Sequence, residues 1–303
     1  MRIWRTEHWP VAFSAAFILF LTVTSVAEAQ NSASPAGKEK GFIFYEAFEG
    51  SSDAEGQVMT LSSSGTYRFS QHFSAGIGIP IYFDRASSLT TGTVTSSGIG
   101  NAFLILHAGW KQPLVNYATS LLGTMPTGDS KKGLSTGHAT FDWSNRFDRD
   151  IRRFTPFIDV GLANSVTDTR FFQRPFISYG SLAHFEGGTD IDLSHSVSLT
   201  LSAYDIAPWG TQTVTSRLVT RGAAGNLGNG KHGRVFENAH QSTGSATLVR
   251  DNGYTADLSY SPRPYLELNA GYSRSVSFAL NTVSFGIGLN VSALFGNTSR
   301  PVQ

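Results

Sequence analysis

Apolar and polar residues alternate with a period of two through most of the chain after residue 40, and the last such stretch is the most regular. In residues 282–295 every odd position is apolar, and the even positions carry Thr, Ser, Gly or Asn with Leu294 as the one exception. The odd positions are Val283, Phe285, Ile287, Leu289, Val291, Ala293 and Phe295. This period is typical of a β-strand with one apolar and one polar face. A strand of roughly ten such residues has the length that a transmembrane barrel requires.

Eleven further segments show weaker forms of the same alternation. They lie near residues 42–49, 58–70, 73–84, 101–110, 115–124, 138–147, 158–163, 177–193, 197–204, 254–260 and 266–273. Bacterial single-chain barrels have an even number of antiparallel strands. The pattern therefore predicts an all-β fold, a transmembrane antiparallel up-and-down β-barrel of about 12 strands, whose last strand pairs with the first.

The connections between these segments alternate in length, with the last hairpin as an exception. Those after the even-numbered strands are short, whereas most of those after odd-numbered strands are longer, as in the Ser/Thr/Gly-rich residues 87–98. Four of the five short turns are flanked by aromatic residues: Phe69 and Phe73, Trp110 and Tyr117, Phe147 and Phe154, Tyr260 and Tyr265. Short periplasmic turns beside an aromatic girdle are typical of outer-membrane barrels. A soluble β-sandwich has no reason to collect aromatic residues at one end.

The N-terminus has the features of a secretory signal. Arg2 and Arg5 precede an apolar core over residues 11–26, and Ala27-Glu28-Ala29 is a small-x-small cleavage site. An uncleaved membrane anchor is the alternative. We therefore predict a cleaved signal peptide at 1–29, a flexible periplasmic lead-in at 30–40, a barrel at 41–295 and a C-terminal tail at 296–303. The expected location is the bacterial outer membrane.

Composition narrows the function classes. Cysteine is absent, which excludes disulfide frameworks and zinc–thiolate sites. The formal net charge of +1 gives no indication of a nucleic-acid partner. After the N-terminus no apolar run is long enough for a transmembrane helix. No feature of the sequence calls for a cofactor.

Charged residues on the polar faces of the predicted strands are the candidate lining of the barrel lumen. They are Arg68, Asp84, Asp142, Arg146, Asp159, His184, Glu186, Asp190, Asp257 and Glu267. Their mixed signs predict ion-pair and hydrogen-bond networks across a slightly acidic, narrow lumen. His184, Glu186, Asp190 and Asp192 share a face, which suggests either a divalent-cation site or a polar stripe bonded to bases such as Arg146 or Arg68.

Two other segments suggest chemistry or binding. Gly137-His138-Ala139-Thr140-Phe141-Asp142 is the nearest match to the G-H-x-S-N-G motif of a twelve-stranded outer-membrane phospholipase family, but Thr140 stands where the nucleophilic Ser is needed. The loop at 208–244 carries Arg217, Arg221, Lys231 and Arg234. It is open to three interpretations: a contact with lipopolysaccharide phosphates, a solvated mobile loop, or a segment that folds inward as a plug.

Three short motifs resemble a known family. They are Gly98-Ile-Gly100-Asn101, Pro126-Thr-Gly-Asp129 and Thr155-Pro-Phe-Ile-Asp-Val-Gly-Leu162. The chain resembles the outer-membrane transporters linked to the meta-pathway (MetA-pathway) of phenol degradation, in which an Asp usually stands where this chain has Asn101. The resemblance implies a bacterial outer-membrane barrel that passes hydrophobic or aromatic compounds, and it implies no catalytic residue.

These observations lead to three functional hypotheses. The first is a passive transporter or channel for small hydrophobic or aromatic compounds, with the loops at 126–137 and 208–244 as gate. The second is a non-conducting structural or surface-binding barrel, and the third is an outer-membrane lipolytic enzyme; we expect a protein that is not an enzyme. The expected partners are outer-membrane lipid and lipopolysaccharide, the solute, and the barrel-assembly machinery, which would recognise the last strand and its aromatic end at Phe295.

Overall fold

The computed structural model describes residues 40–52, 56–88, 92–166, 174–219 and 234–295. The predicted signal peptide, the lead-in up to residue 39 and the tail at 296–303 lie outside these ranges. Among the described residues, no helix is both long enough and apolar enough to cross a membrane.

Sixteen β-strands and two short α-helices are the main elements of the described residues, which also contain 3-10 turns at Ser130–Lys132 and Ala246–Leu248. The strands are β1 (Gly41–Ser52), β2 (Gly56–Arg68), β3 (Phe73–Ser88), β4 (Gly92–Ile99), β5 (Phe103–Trp110), β6 (Asn116–Thr124), β7 (Thr140–Asp148), β8 (Phe154–Ala163), β9 (Phe176–Tyr179), β10 (Leu182–Asp192), β11 (Val197–Pro208), β12 (Thr211–Ser216), β13 (Gln241–Ser245), β14 (Asp251–Arg263), β15 (Leu266–Ser275) and β16 (Leu280–Asn290). The helices are α1 (Val235–Asn238) and α2 (Val291–Phe295).

Twelve of these strands form a closed antiparallel barrel. Each pairs with the next in the order β1, β2, β3, β5, β6, β7, β8, β10, β11, β14, β15, β16. The ring closes where β16 pairs with β1, from Ile43 opposite Asn290 to Ser52 opposite Asn281. Closure pairs the backbone groups of both edges, which a bilayer requires. The predicted fold and strand number are confirmed.

The outer surface of the barrel is an apolar belt. Large side chains on the outward faces are 40–67% exposed, among them Phe44, Ile77, Leu106, Trp143, Ile158, Phe185, Leu258 and Phe285. The inward positions between them carry mainly Ser, Thr, Gly and charged residues. Water would solvate such a belt poorly, whereas lipid hydrocarbon matches it.

Aromatic rings gather at the end of the barrel that carries the short turns. Trp110 stacks on Tyr117 with ring centroids 5.9 Å apart, and Phe147 lies 5.2 Å beyond Tyr117. Phe73 packs edge-on against Trp110 at 5.8 Å. These rings form the aromatic girdle expected at the periplasmic interface. Because short turns are typical of the periplasmic side, the long connections at the other end of the barrel face outward.

The strand predicted at residues 282–295 is shorter than its alternation indicates. It ends at Asn290, and Val291–Phe295 is the helix α2, which lies against β1 and β16. Asn290 Oδ1 accepts a hydrogen bond from the backbone N–H of Ala293 at 3.0 Å and so helps to start the helical turn. The prediction that Phe295 ends the closing strand is therefore wrong: the ladder with β1 ends at the Ile43–Asn290 pair, two residues short of the start of β1, where Asn290 begins a helical turn.

Two further boundaries differ from the prediction. Residues 177–193 form two strands of different sheets, because Gly180, at φ +153°, turns the chain between β9 and β10. Ile177 is consequently buried in the smaller sheet instead of facing outward. The described part of residues 87–98 is not a loop: β3 continues to Ser88 and pairs with β4, which begins at Gly92. The first outer connection is also short, with β2 beginning at Gly56 after β1 ends at Ser52.

Candidate functional site

The predicted lining residues all lie on the inward faces of their strands. They alternate with the exposed apolar positions and share parity with buried neighbours; the set comprises Arg68, Asp84, Asp142, Arg146, Asp159, His184, Glu186, Asp190, Asp257 and Glu267. Asp84, Asp159 and His184 are each at most 3% exposed. The lumen is therefore crowded at these points.

Arg146 on β7 is the centre of the largest polar cluster. Its Nη2 lies 2.5 Å from Asp190 Oδ2 on β10, and its Nε lies 3.6 Å from Asp148 Oδ2 on β7 itself. The guanidinium carbon also sits 3.7 Å above the centre of the Phe157 ring of β8, the strand in between. Thr200 Oγ1 donates to the second oxygen of Asp190 at 2.7 Å. One arginine thus ties three strands together inside the lumen.

His184 and Asp142 form a second contact across the same wall. His184 Nε2 is 3.0 Å from Asp142 Oδ1, and the imidazole is 1% exposed. The ring lies flat over Gly161 of the strand between them, where any side chain would collide with it. Sequence parity placed both residues inside, but their pairing across β8 depends on register.

A chain of hydroxyl groups continues the polar wall toward the closing strands. Ser202 Oγ donates to Glu186 Oε1 at 2.6 Å and lies 2.7 Å from the hydroxyl of Thr255. Ser259 Oγ donates to Glu267 Oε1 at 3.2 Å. Hydroxyl donors of this kind stabilise ionised carboxylates inside the barrel.

The divalent-cation interpretation of this stripe is not supported. Asp190 is engaged by Arg146, and Glu186 by Ser202. Within the described ranges no group of three or more His, Asp or Glu side chains is arranged to hold a metal ion. The stripe is an ion-pair and hydrogen-bond network.

The opposite wall is more apolar. Phe103 and Ile105 of β5 point inward by parity, and the Phe103 ring lies over Gly78 of β3. Tyr82 of β3 is 6% exposed and lies over Gly100 in the same way. Phe103 and Ile105 interrupt the alternation of β5 in the sequence, because large apolar side chains occupy inward positions there. The lumen thus has one polar wall and one aromatic wall.

The outer mouth contains a plug built from three loops. The described parts of the loops after β6, β8 and β11 are called the outer plug. They comprise residues 125–139, 164–166, 174–181, 209–219 and 234–250. Its framework is a three-stranded sheet in the order β13, β12, β9. Of the interpretations open for residues 208–244, inward folding is the one that the structure shows for the described parts, 208–219 and 234–244.

The outer plug packs on the inner face of the barrel at the outer ends of β8, β10, β11 and β16. Its residues Val166, Phe176, Val214, Phe236 and Val249 form one buried cluster with the inward-facing Ala163, Leu182, Tyr204, Ile206 and Leu280. Phe176 stacks on Phe236 at 4.9 Å, and Phe278 of the last outer turn packs edge-on against Phe176 at 5.1 Å. Hydrophobic burial therefore fixes one side of the plug to the wall.

A buried ion pair joins the same side of the plug to β14. Arg174 Nη2 lies 2.9 Å from Asp251 Oδ2, and both side chains are at most 1% exposed. Ser275 Oγ donates to Asp251 Oδ1 at 2.6 Å, and the Tyr204 hydroxyl donates to Asp251 Oδ2 at 3.2 Å. Asp251 thus accepts from the plug and from two barrel strands.

The plug also reaches the aromatic wall. Leu134 packs with the inward-facing Val58 and Tyr82 in a second buried cluster. The guanidinium carbon of Arg217 lies 4.2 Å above the Tyr82 ring, and its Nη1 donates to the carbonyl of Arg174 at 2.9 Å. The outer plug therefore spans the mouth from one wall to the other.

This arrangement bears on the basic residues predicted to meet lipopolysaccharide. Arg217 is 4% exposed, and Arg234 binds Glu237 and the carbonyl of Phe278. Both therefore act inside the plug. Arg221 and Lys231 lie outside the described residues.

The elements of the hydrolase motif are engaged in three separate contacts. The alternation of the strand predicted at 138–147 would place His138 on the inner face. This is wrong, because His138 is exposed in the outer loop, where it stacks on the Tyr179 ring at 4.5 Å. The Thr140 hydroxyl lies 2.6 Å from that of Thr124, and Asp142 contacts His184. A nucleophile must lie within hydrogen-bond reach of its base, and this set does not have that arrangement.

Two of the motifs that carry the family resemblance touch each other. Thr127 Oγ1 donates to the carbonyl of Gly100 at 2.9 Å and accepts from the backbone N–H of Ala102 at 2.8 Å. Asn101 Oδ1 accepts from the backbone N–H of Gly128 at 3.3 Å. The pair of motifs anchors the base of the loop that delivers Leu134 to the plug. An Asp at position 101 would supply the same acceptor.

Comparisons with known proteins support the fold. No family model and no curated protein matches the chain. An outer membrane channel from Pseudomonas putida F1 is similar in structure, with a TM-score of 0.53 at 10% identity over 85% of this chain and 99% of that one. The NanC porin (TM-score 0.44, 8% identity, 82% and 98% coverage) and the transport unit of the autotransporter AIDA-I from Escherichia coli (0.40, 10%, 92% and 95%) are more distantly similar in structure. At this identity the likeness to the first shows that the chain has an outer-membrane β-barrel fold.

Proposed function

We propose that the protein is a passive outer-membrane channel for small molecules, narrowed at its outer mouth by the plug. The observation that carries the proposal is the composition of the lumen, which is lined by Ser, Thr, Gly and charged side chains. Polar groups of this kind can solvate a solute or water. A barrel of twelve strands leaves room for a narrow passage below the plug.

The proposed solute class is small aromatic or hydrophobic compounds. The resemblance to transporters of the phenol meta-pathway suggests it, and the contact between the motifs around Asn101 and Thr127 gives those motifs a shared task in holding the plug loop. The inward-facing rings of Tyr82 and Phe103 support it independently, because they make this wall of the lumen more apolar than the opposite one.

The proposed mechanism needs no cofactor and no energy source beyond the solute gradient. The solute would enter past the outer plug and move between the aromatic wall and the polar wall to the periplasm. The proposed location is the bacterial outer membrane, reached after removal of residues 1–29. The apolar belt and the aromatic girdle support this location.

Reconstitution tests the proposal. Purified protein in a planar bilayer should give discrete single-channel currents, and liposomes that contain it should swell faster in phenol than in a sugar of similar size. Liposomes without protein supply the baseline. Absence of current and of swelling with every solute would rule the channel out.

A non-conducting barrel is the second candidate, and the buried plug favours it. The plug is anchored to both walls through Asp251 and Tyr82. A lumen that is permanently closed at one end would serve a structural or surface-binding role. The bilayer measurement separates the two, because only the channel gives current.

A further inference from the structure

The inner wall of the barrel carries far more negative than positive charge. Along the described strands, eleven carboxylates face inward: Glu49, Asp84, Asp142, Asp148, Asp159, Glu186, Asp190, Asp192, Asp251, Asp257 and Glu267. Two guanidiniums, Arg68 and Arg146, face inward on the same strands. These acids are spread over seven strands and from the periplasmic to the outer end. The excess is therefore a property of the whole passage.

The three arginines of the outer plug that lie inside the mouth do not cancel this excess; Lys131, Lys132 and Arg250 are exposed. Arg174 is bound to Asp251, and Arg234 is bound to Glu237 of the plug itself. Arg217 brings one further positive charge, which donates to the carbonyls of Gly133 and Arg174. The described interior, plug included, thus remains clearly negative.

Two arginine side chains inside the barrel lie over aromatic rings. The guanidinium of Arg146 lies 3.7 Å above the Phe157 ring while it pairs with Asp190. That of Arg217 lies 4.2 Å above the Tyr82 ring. A carboxylate beside an aromatic face is a favourable environment for an organic cation, because the ring quadrupole adds to the ionic attraction. The chain's own Arg146 occupies such a place, and Arg217 shows that a guanidinium is also held over the Tyr82 ring.

We infer that the passage selects for cations, and that among aromatic solutes it favours those with a protonated amino group over carboxylates of the same size. This inference rests on the proposed channel function and names its substrate class more closely. A narrow lumen with low-dielectric walls focuses the field of its charges. Rings and lines of acidic side chains select cations in pores in the same way.

The charge preference is measured on the unaltered protein. Single channels in a planar bilayer with unequal KCl on the two sides should reverse at a potential that corresponds to K⁺ permeating several-fold faster than Cl⁻. Liposomes should admit benzylamine faster than benzoate. Equal permeabilities, or faster passage of Cl⁻ and benzoate, overturn the inference and leave the channel function intact. If neither the full protein nor a variant without the plug segment 209–250 gives any current, the channel function is ruled out as well.

Matched variants test whether the lumen charges are responsible. Glu186→Gln with Glu267→Gln removes two inward charges while each amide retains an acceptor for Ser202 or Ser259. The K⁺/Cl⁻ permeability ratio should fall toward one. Asp150→Asn with Asp205→Asn removes two charges from a periplasmic turn and the outward face, and should leave the ratio unchanged. Equal effects of the two pairs contradict the assignment to the lumen. Heat-modifiable gel mobility checks folding, and Glu267→Gln alone replaces the pair if it fails to fold.

Discussion

At the scale of single residues, Asp251 is the most engaged carboxylate of the plug junction. It accepts from Arg174, Ser275 and Tyr204 with no solvent exposure. Asp251→Asn leaves the Arg174 guanidinium buried without its counter-charge, which costs about 3–5 kcal/mol for a buried pair. We expect the plug to loosen and single-channel conductance to rise, with a lower temperature for loss of the compact gel band.

The control is Asp205→Asn. Asp205 lies 3.9 Å from Arg250 on the outward face, where both side chains are well exposed. An exposed pair contributes roughly 0–1 kcal/mol, so conductance and thermal stability should stay near those of the parent. If both substitutions behave alike, the Arg174–Asp251 pair does not hold the plug.

Glu46 is the opposite case, a carboxylate on the lipid-facing side of β1. It shares that face with Phe42, Phe44 and Phe48, and Ser63 Oγ donates to its Oε2 at 2.7 Å. An acidic side chain on the lipid face destabilises a barrel by less than the roughly 2–4 kcal/mol of a midplane Arg or Lys. Glu46→Leu should therefore raise the free energy of unfolding, by about 1 kcal/mol in urea titrations of the reconstituted barrel.

Glu49→Leu is the matched change three residues further along β1, on the inward face. It replaces a lumen carboxylate with an apolar side chain, and we expect lower stability. The two substitutions should have opposite signs. The same sign in both would mean that the assigned faces of β1 are wrong.

At the scale of strands and helices, the sequence predicted the barrel well because lipid and lumen impose different polarity on alternate side chains. The rule fails where one of those environments is missing. β12 reads Thr-Gln-Thr-Val-Thr-Ser and shows no apolar face, because its two sides meet the rest of the plug and the inner wall of the barrel, and neither meets lipid. In α2 the alternation continues through Val291 and Ala293, yet the Asn290 side chain starts a helical turn there, which the alternation does not indicate.

For the lumen, the sequence predicted which residues face inward but not which of them contact each other. Parity identifies which charged residues point inward, because that depends only on position along one strand. It does not identify partners, since Arg146 meets Asp190 across the whole width of β8. Such a contact depends on the relative register of three strands. The plug junction at Asp251 was missed because Arg174 belongs to a loop without periodicity.

The end of β16 gives a prediction for the closing element. The ladder with β1 ends with Ile43 opposite Asn290, so α2 adds no strand pairing. A chain that stops after Asn290 should still refold in detergent to a compact, heat-modifiable form. A chain that stops after residue 279, before β16 begins, should not, because β1 and β15 would become open edges. If loss of α2 alone prevents refolding, closure depends on more than the β1–β16 ladder.

At the scale of the whole molecule, the largest segment of the outer plug can be removed without a change in the pairing of the barrel strands. Ile206 of β11 lies opposite Asp251 of β14, so these two strands are adjacent at the outer rim. The segment 209–250 can therefore be replaced by a short hairpin turn without a change in the barrel ladder. Deletion removes β12, β13, α1 and Arg217, and with them most of the material that spans the mouth.

Conductance of this deletion variant is the measurement that distinguishes a narrowed channel from a closed barrel. We expect a several-fold increase in single-channel conductance with unchanged heat-modifiable mobility, because the lumen below the plug is lined by polar groups. A matched variant replaces residues 87–93 of the β3–β4 hairpin with a two-residue turn; this outer segment contributes nothing to the plug sheet and its loss should leave conductance unchanged. If the deletion conducts no better than the parent, the constriction lies deeper, among the Arg146 and His184 contacts. If neither conducts, the polar networks themselves close the lumen, and the barrel has a structural or binding role.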